Sequence, residues 1–298
     1  MTGCGEVTAR AGGNEPPAAA GGTLEEFFRT NPAAVLGFSG GVDSSYLLYA
    51  GLCCGATIKA CFVKTAFQPE FELQDALLFT ERLGAEIAII DKNILRDARI
   101  TLNTPDRCYH CKISIIETLR QYASLVNIPL IIDGTNASDD AADRPGMRAL
   151  SEKGIRSPLL ECGITKEDVR RLSRGAELPT WNKPAYSCLA TRVSTGITIT
   201  DELLQRVERA ESALFKMGFR GFRVRVIAEN CRGCVPPSIT NAGDCKGDRT
   251  MSPMYDEAVK LQFPLTQING AIDKRESIVK AIKPYFERVL LDMEGRAV

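Results

Sequence analysis

The sequence predicts an α/β protein: an open, mostly parallel sheet followed by a smaller C-terminal α+β domain. Three observations predict it. Short apolar runs at residues 33–38, 57–63, 86–90 and 128–132 alternate with stretches of helical apolar spacing. The first run leads directly into a Gly-rich segment, Ser39-Gly40-Gly41-Val42-Asp43-Ser44. The last third changes character, with an amphipathic helix at 201–217 followed by an alternating strand at 222–227.

Taken in order, residues 1–22 are rich in Gly, Ala and Pro and read as a disordered tail. The run 33–38 suits a strand buried on both faces, and a helix begins at Ser44. Residues 57–63 form a second strand, 70–83 a helix through Phe71, Leu73, Ala76, Leu77 and Phe79, and 86–90 a third strand. A helix over 113–125 precedes a fourth strand at 128–132, which runs into Asp133-Gly134-Thr135-Asn136. Thr165 caps a helix over 165–172, with Asp168 three residues on. Residues 179–192 carry two prolines and no period, so they read as an ordered loop. A helix at 277–285 and a strand at 289–293 close the chain. At 298 residues the chain exceeds a typical single domain. The expected division is a tail at 1–22, an α/β domain at 23–195, and a small α+β domain at 196–298 with an insertion at about 229–255.

Lysine plus arginine equals aspartate plus glutamate at 37 each, which argues against a protein that lives by gripping nucleic-acid backbone. No apolar run is long enough to cross a bilayer and no secretory signal stands at the N-terminus, so a cytoplasmic location is expected. There thiols stay reduced, and eleven cysteines point to metal binding or catalysis rather than disulfides. Cys53, Cys54 and Cys61 read as small core residues, Cys4 lies in the tail, and Cys162 reads as incidental.

In open parallel sheets, ligands sit beyond the carboxyl ends of the strands. The Gly-rich loop and the Asp133–Asn136 stretch both occupy such positions, so they are expected to share a crevice. Glycines let the backbone curl and turn its N–H groups toward an anion at a helix start. A carboxylate among phosphates, Asp43, makes sense as a ligand for bridging Mg²⁺. The Gly-Lys-Ser/Thr ending of a Walker loop is absent. The run resembles the PP-loop of the ATP-pyrophosphatase family, whose fold is of the adenine nucleotide alpha hydrolase type. That resemblance implies cleavage of ATP between the α and β phosphates to give an adenylate and pyrophosphate. The expected ATP-binding residues are Ser39, Gly40, Gly41, Asp43, Ser44 and Ser45, with Gly134 and Thr135.

Further stretches narrow the family. They are Asp106-Arg107-Cys108-Tyr109-His110-Cys111-Lys112, residues 133–146, Ser157-Pro158-Leu159, Thr165-Lys166-Glu167, and Lys183-Pro184-Ala185-Tyr186-Ser187-Cys188-Leu189-Ala190-Thr191-Arg192. Over about residues 24–227 these resemble the LarE family of ATP-dependent sulfur transferases, which serve nickel-pincer nucleotide biosynthesis. The resemblance implies a small nucleotide substrate, pyridinium-3,5-dicarboxylate mononucleotide, and a homo-oligomer. A carboxylate would be adenylated, and a sulfur nucleophile would then displace AMP to leave a thiocarboxylate. Two sulfur sources stand open. Cys188 matches the position from which sacrificial members give up their own sulfur. Alternatively Cys108, Cys111 and Cys188 match members with three thiolates thought to hold a [4Fe-4S] cluster, whose fourth iron can carry a labile sulfide. An unligated pair on a surface turn is the plainer account of Cys108 and Cys111, and His110 between them reads as a bystander.

Lys112 and Arg192, close behind cysteines, can stabilise a thiolate or bind phosphate. Arg223 and Arg225 match an Arg-Val-Arg motif that binds the substrate phosphate in the family, or are the wet face of a strand. Asp133, Asp139, Asp140 and Asp143 form an acidic stretch that either holds Mg²⁺ or faces solvent. After Val226 the chain departs from the family: a strand with acidic residues is missing, leaving Glu211 and Glu229 as weak substitutes. Cys231, Cys234 and Cys245 in the insertion are either a zinc-like site lacking a fourth ligand or incidental. A tRNA-thiolating PP-loop enzyme and a non-catalytic nucleotide-binding or iron–sulfur carrier are the competing classes.

Overall fold

The computed structural model of the protein describes residues 22–139, 145–228 and 257–296. Residues 1–21 of the expected tail, Asp140, Asp143, and the insertion with Glu229, Cys231, Cys234 and Cys245 lie outside them. The described chain divides into two compact units. One comprises the residues up to Ile100 with Thr104–Ala185, the other Thr101–Asn103 with the residues from Tyr186 on. Among the described residues, no helix is long and apolar enough to cross a membrane.

The first unit opens with α1 (Leu24–Thr30), whose N-cap Thr23 accepts the Glu26 N–H at 3.1 Å. Then follow β1 (Ala33–Gly37), α2 (Val42–Cys53), β2 (Thr57–Lys64), α3 (Glu70–Leu83) and β3 (Ile87–Asp91). After them come α4 (Ala98–Thr101), α5 (Arg107–Leu125), β4 (Ile131–Ile132), α6 (Pro145–Glu152), α7 (Pro158–Glu161) and α8 (Lys166–Gly175). The four strands form one all-parallel sheet in the order β3-β2-β1-β4. This is the predicted open parallel α/β sheet.

β1 is apolar at every position because both its faces are covered. Ala34 and Leu36 join a core with α1, α2, α3 and α8, whereas Val35 packs with Leu119 and Ala123 of α5. Strand β4 is shorter than the predicted 128–132. Pro129 has no N–H for a ladder, and Ile128 donates its own N–H back to Ala123 at the end of α5. The Thr165 cap is present as a full capping box with Asp168. Because β2 and β3 lie on one side of β1 and β4 on the other, the winding reverses between β1 and β4. The crevice of a doubly wound sheet opens there.

In the second unit Thr200 caps α9 (Asp201–Lys216), which buries Leu203, Leu204, Val207, Ala210 and Leu214. β5 (Arg223–Ala228) pairs antiparallel with β6 (Glu257–Gln262), which pairs parallel with β7 (Arg288–Leu291). Between β6 and β7 lie α10 (Leu265–Asp273) and α11 (Arg275–Ile282). The predicted helix at 277–285 closes earlier, at Ile282, just ahead of Pro284. The sequence reading did not identify β6 and α10. β6 is only six residues long, and α10 carries an interior Gly270 that weakens a helical signal. Val224 and Val226 are buried with Val259 and Leu261, while Arg223 and Arg225 share the other face with their partners Gln262 and Lys260.

Candidate functional site

β1 ends at Gly37, and the chain turns through Ser39 and Gly40 into α2. Gly40 has φ +68, and a Cβ there would stand 3.1 Å from the Ala76 Cβ, so glycine is required both by conformation and by the closeness of α3. The helix begins at Val42, two residues before the predicted start, and Asp43 therefore sits in its first turn. The loop hydroxyls close on themselves. Ser44 Oγ accepts the Ser39 N–H at 3.3 Å, lies 3.1 Å from Ser39 Oγ, and is 3.3 Å from the Gly41 carbonyl. Gly41 is the N-cap and has no side chain to offer, so no cap group covers the first-turn N–H groups of α2. Uncapped N–H groups at the positive end of a helix dipole are what a phosphate needs. Ser45, expected among the ATP-binding residues, is instead fully buried, and its Oγ has no hydrogen-bond partner among the described residues.

The loop after β4 meets this turn. A Cβ on Gly134 would come within 2.9 Å of the Ser44 nitrogen and 3.2 Å of the Asp43 carbonyl carbon, so the two predicted motifs are in contact. Asp133 is occupied in holding the loop: Oδ1 accepts from Ser157 Oγ at 2.7 Å and from the Thr135 N–H at 3.2 Å, and Oδ2 accepts from Thr135 Oγ1 at 2.8 Å. Asp139 accepts the Asn136 N–H at 3.1 Å. Both therefore serve as loop braces. Asn136, almost fully buried, donates to Asp43 Oδ1 at 3.3 Å, and Lys166 reaches Asp43 Oδ2 at 2.5 Å. Lys183 donates to the Gly40 carbonyl at 3.0 Å and pairs with Asp75 at 2.8 Å. The sequence reading quoted Asn136, Lys166 and Lys183 inside motifs but assigned them no role. Their motif membership was the available signal. Replacing Gly134 with Ala is expected to destabilise the protein by about 1–3 kcal/mol, because the new methyl overpacks the start of α2. A denaturant titration checks it, and an unchanged midpoint would mean the two loops can part freely.

Cys108 and Cys111 lie within α5, which starts six residues before the predicted 113. The early turn carries no apolar period, but tertiary contacts with α6 hold it. Tyr109 donates its hydroxyl to Glu152 at 2.6 Å beneath the Arg148 guanidinium, 4.3 Å from the ring centre, and Ile113 and Ile116 pack on Met147, Ala149 and Leu150. The two thiols, three residues apart, share one helical face; Cys108 is exposed and Cys111 half-buried. His110 packs edge-on against Tyr109. Within this unit, no three His, Cys, Asp or Glu side chains among the described residues gather to hold a metal ion. Cys61 is a core residue as expected, and burial pushes its thiol up to about 11. Cys54 is not core: it is exposed at the end of α2.

In the second unit Cys188, half-buried, heads a short 3-10 turn, Leu189–Arg192, its carbonyl accepting the Thr191 N–H at 2.9 Å and Thr191 Oγ1 at 2.7 Å. Arg192, expected at a substrate phosphate, is buried inside the fold. Its Nε donates to Glu211 at 2.8 Å and its Nη2 at 3.3 Å, its Nη1 donates to the Ser187 carbonyl and Thr191 Oγ1 at 2.9 Å each, and Tyr186 covers its face. Burial opposes the charge, but Glu211 more than offsets it and holds the proton on. Glu211, read as a substitute metal ligand, is likewise filled by donors. Besides Arg192 it accepts from the Tyr186 hydroxyl at 2.5 Å and the Val224 N–H at 3.0 Å.

The donors left for an anion are on β5. Arg223 donates to Ser187 Oγ at 3.0 Å, and the buried Nε of Arg225 has no hydrogen-bond partner among the described residues. Arg223 is pushed down to about 10 by burial, reinforced by the charges of Arg296, Arg192 and Arg225. Arg296 is lowered in the same way, by burial and then by Arg192 and Arg225. Crowded guanidiniums of this kind favour a bound anion. Arg296, 71 residues beyond Arg225, carried no sequence signal.

No protein-family model matches the chain. It is 37% identical over 217 residues to the uncharacterized protein slr1717 of Synechocystis, covering 72% of this chain and 80% of that protein. It is 29% identical over 273 residues to the uncharacterized protein MJ0830 of Methanocaldococcus jannaschii, covering 91% and 93%. It is 32% identical over 205 residues to the pyridinium-3,5-bisthiocarboxylic acid mononucleotide synthase of Lactiplantibacillus plantarum, covering 68% of this chain and 74% of that enzyme. With a parallel α/β sheet, a Gly-rich turn seated against the β4 loop and this relative, the chain belongs to the LarE family, that of the pyridinium-3,5-bisthiocarboxylic acid mononucleotide synthase.

Proposed function

We propose that the protein is an ATP-dependent sulfur transferase that adenylates the carboxylates of pyridinium-3,5-dicarboxylate mononucleotide and converts them to thiocarboxylates. The observation that carries this reading is the uncapped start of α2 between the Gly-rich turn and Gly134, with Asp43 held by Asn136 and Lys166. ATP phosphates lie on the α2 N–H groups. A substrate carboxylate oxygen attacks the α-phosphorus, the bond to the β-phosphate breaks, and pyrophosphate leaves with the electron pair. Sulfur then attacks the acyl carbon and AMP departs, because AMP is a far better leaving group than oxide.

Asp43 is the residue that would hold Mg²⁺. A single carboxylate completed by the nucleotide's own phosphates is ordinary for this ion. On the motif reading, Cys108, Cys111 and Cys188 are the residues that would hold a [4Fe-4S] cluster, which when bound would supply a labile sulfide as nucleophile. The shared helical face of Cys108 and Cys111 supports that reading. Arg223 and Arg225 bind the substrate phosphate, a role supported by their crowded charge and the unpartnered Nε of Arg225.

The test is anaerobic purification followed by incubation with ATP and the dicarboxylate. Pyrophosphate, AMP and thiocarboxylate are the expected products, and no pyrophosphate under any redox condition overturns the proposal. Iron and labile sulfide are measured alongside, with about four irons per chain expected and their loss in Cys108→Ala. No iron, with a protein mass lower by one H₂S after turnover, would move the sulfur source to Cys188 itself. Cys188→Ala is expected to abolish thiocarboxylate while pyrophosphate release continues.

A further inference from the structure

We propose that Asn103 is a positioning residue for the sulfur-transfer step. It holds the chain that enters the Cys108–Cys111 helix against the loop that leaves Cys188, an assignment resting on the three-thiolate reading above. The division of the chain singles it out. Thr101–Asn103 pack with the second unit, although the residues on either side of them pack with the first. Asn103 is 1% exposed and has φ +53. Asparagine enters this left-handed conformation more readily than most residues with a Cβ, so one residue type serves both the turn and the contacts its side chain makes.

The Asn103 amide donates from Nδ2 to two successive carbonyls about ninety positions on, Val193 at 3.2 Å and Ser194 at 2.8 Å. An amide nitrogen carries two hydrogens, one for each carbonyl. The backbone repeats the connection: the Asn103 carbonyl accepts the Gly196 N–H at 3.1 Å, and the Thr101 carbonyl accepts the Ile199 N–H at 2.8 Å. The anchored loop is itself fixed. Ser194 donates its N–H at 3.2 Å and its hydroxyl at 2.8 Å to the Val226 carbonyl of β5. All these contacts lie within the second unit.

Short tethers turn this anchor into a constraint on sulfur. Only Thr104–Arg107 stand between Asn103 and Cys108, and Arg107 already belongs to α5. Only Leu189–Arg192 stand between Cys188 and Val193, and they form the 3-10 turn that Cys188 heads. Thiolates that share one cluster must meet iron at bonding distance, which slack in either tether would oppose. Asn103 exchanges no atom with the substrate; it limits where the sulfur ligands stand before the acyl carbon is attacked.

The competing account is that Asn103 only braces the second unit. Two variants of the full chain separate the accounts after anaerobic reconstitution with iron and sulfide. Asn103→Gly keeps the left-handed backbone and deletes the amide. A Gly-Gly insertion between Asn103 and Thr104 keeps the amide and lengthens the tether. Both are expected to fall from about four irons per chain to below about one and to form thiocarboxylate about a hundredfold more slowly. Pyrophosphate release is expected to continue unchanged, which also reports a folded chain. Iron, labile sulfide and the electron paramagnetic resonance of the reduced protein are the readouts. Full iron in either variant, or loss of pyrophosphate release together with iron, overturns the assignment; where Asn103→Gly does not fold, the insertion alone decides. An unsubstituted protein that takes up no iron overturns the three-thiolate reading itself.

Discussion

Asp43→Asn is expected to lower pyrophosphate release by at least about a hundredfold while leaving the fold intact. The substitution is nearly isosteric. An amide oxygen at position 43 can still accept the Asn136 hydrogen bond, made at 3.3 Å in the native protein. What disappears is the negative charge, which both pairs with Lys166 and would hold Mg²⁺ at the phosphates. The pair is partly open to water, so its loss costs at most about 1 kcal/mol of stability. The effect therefore falls on chemistry. The measurement is the rate of pyrophosphate release at saturating ATP, beside a denaturant melt of the same preparation. A variant that keeps its rate removes Asp43 from the mechanism.

Glu211→Ala is expected to destabilise the second unit by about 3–5 kcal/mol, the cost of leaving a buried charge without its partner. Glu211 is 2% exposed and accepts from Arg192, Tyr186 and the Val224 N–H, so its removal strands a fully buried guanidinium and two further donors. Glu211→Gln keeps the acceptor oxygen but not the charge, and its cost is expected to be smaller. Thermal and denaturant unfolding followed by tryptophan-independent far-UV dichroism would measure both. If Glu211→Ala loses activity at native stability, Glu211 serves the site rather than the fold.

Much of the first unit was legible in advance. Its central strand β1 is buried and reads as an unbroken apolar run, and the glycines at 40 and 134 stand where another segment passes closely. The α9 helix was legible for the complementary reason: one face is buried and one is wet, so the period shows. Harder to read was the first turn of α5. Residues 107–112 have no apolar period, and what makes them helical is Tyr109 packing against Glu152 and Arg148, about forty residues away in sequence.

The sequence by itself determined the parallel sheet, the Gly-rich turn at its carboxyl edge and the family, since each depends on residue types at short spacing along the chain. Only the tertiary structure decided which charged residues are already engaged by a carboxylate. Arg192 and Arg225 are the same residue type in motifs equally suggestive of phosphate, yet Arg192 is closed in by Glu211 and Arg225 keeps a buried Nε without a partner. Lys166 and Lys183 lie 123 and 143 residues from Asp43 and Gly40, and folding brings each ammonium onto its loop residue. A side chain's charge is written in the sequence. Its partner depends on distances in space, which no spacing along the chain records.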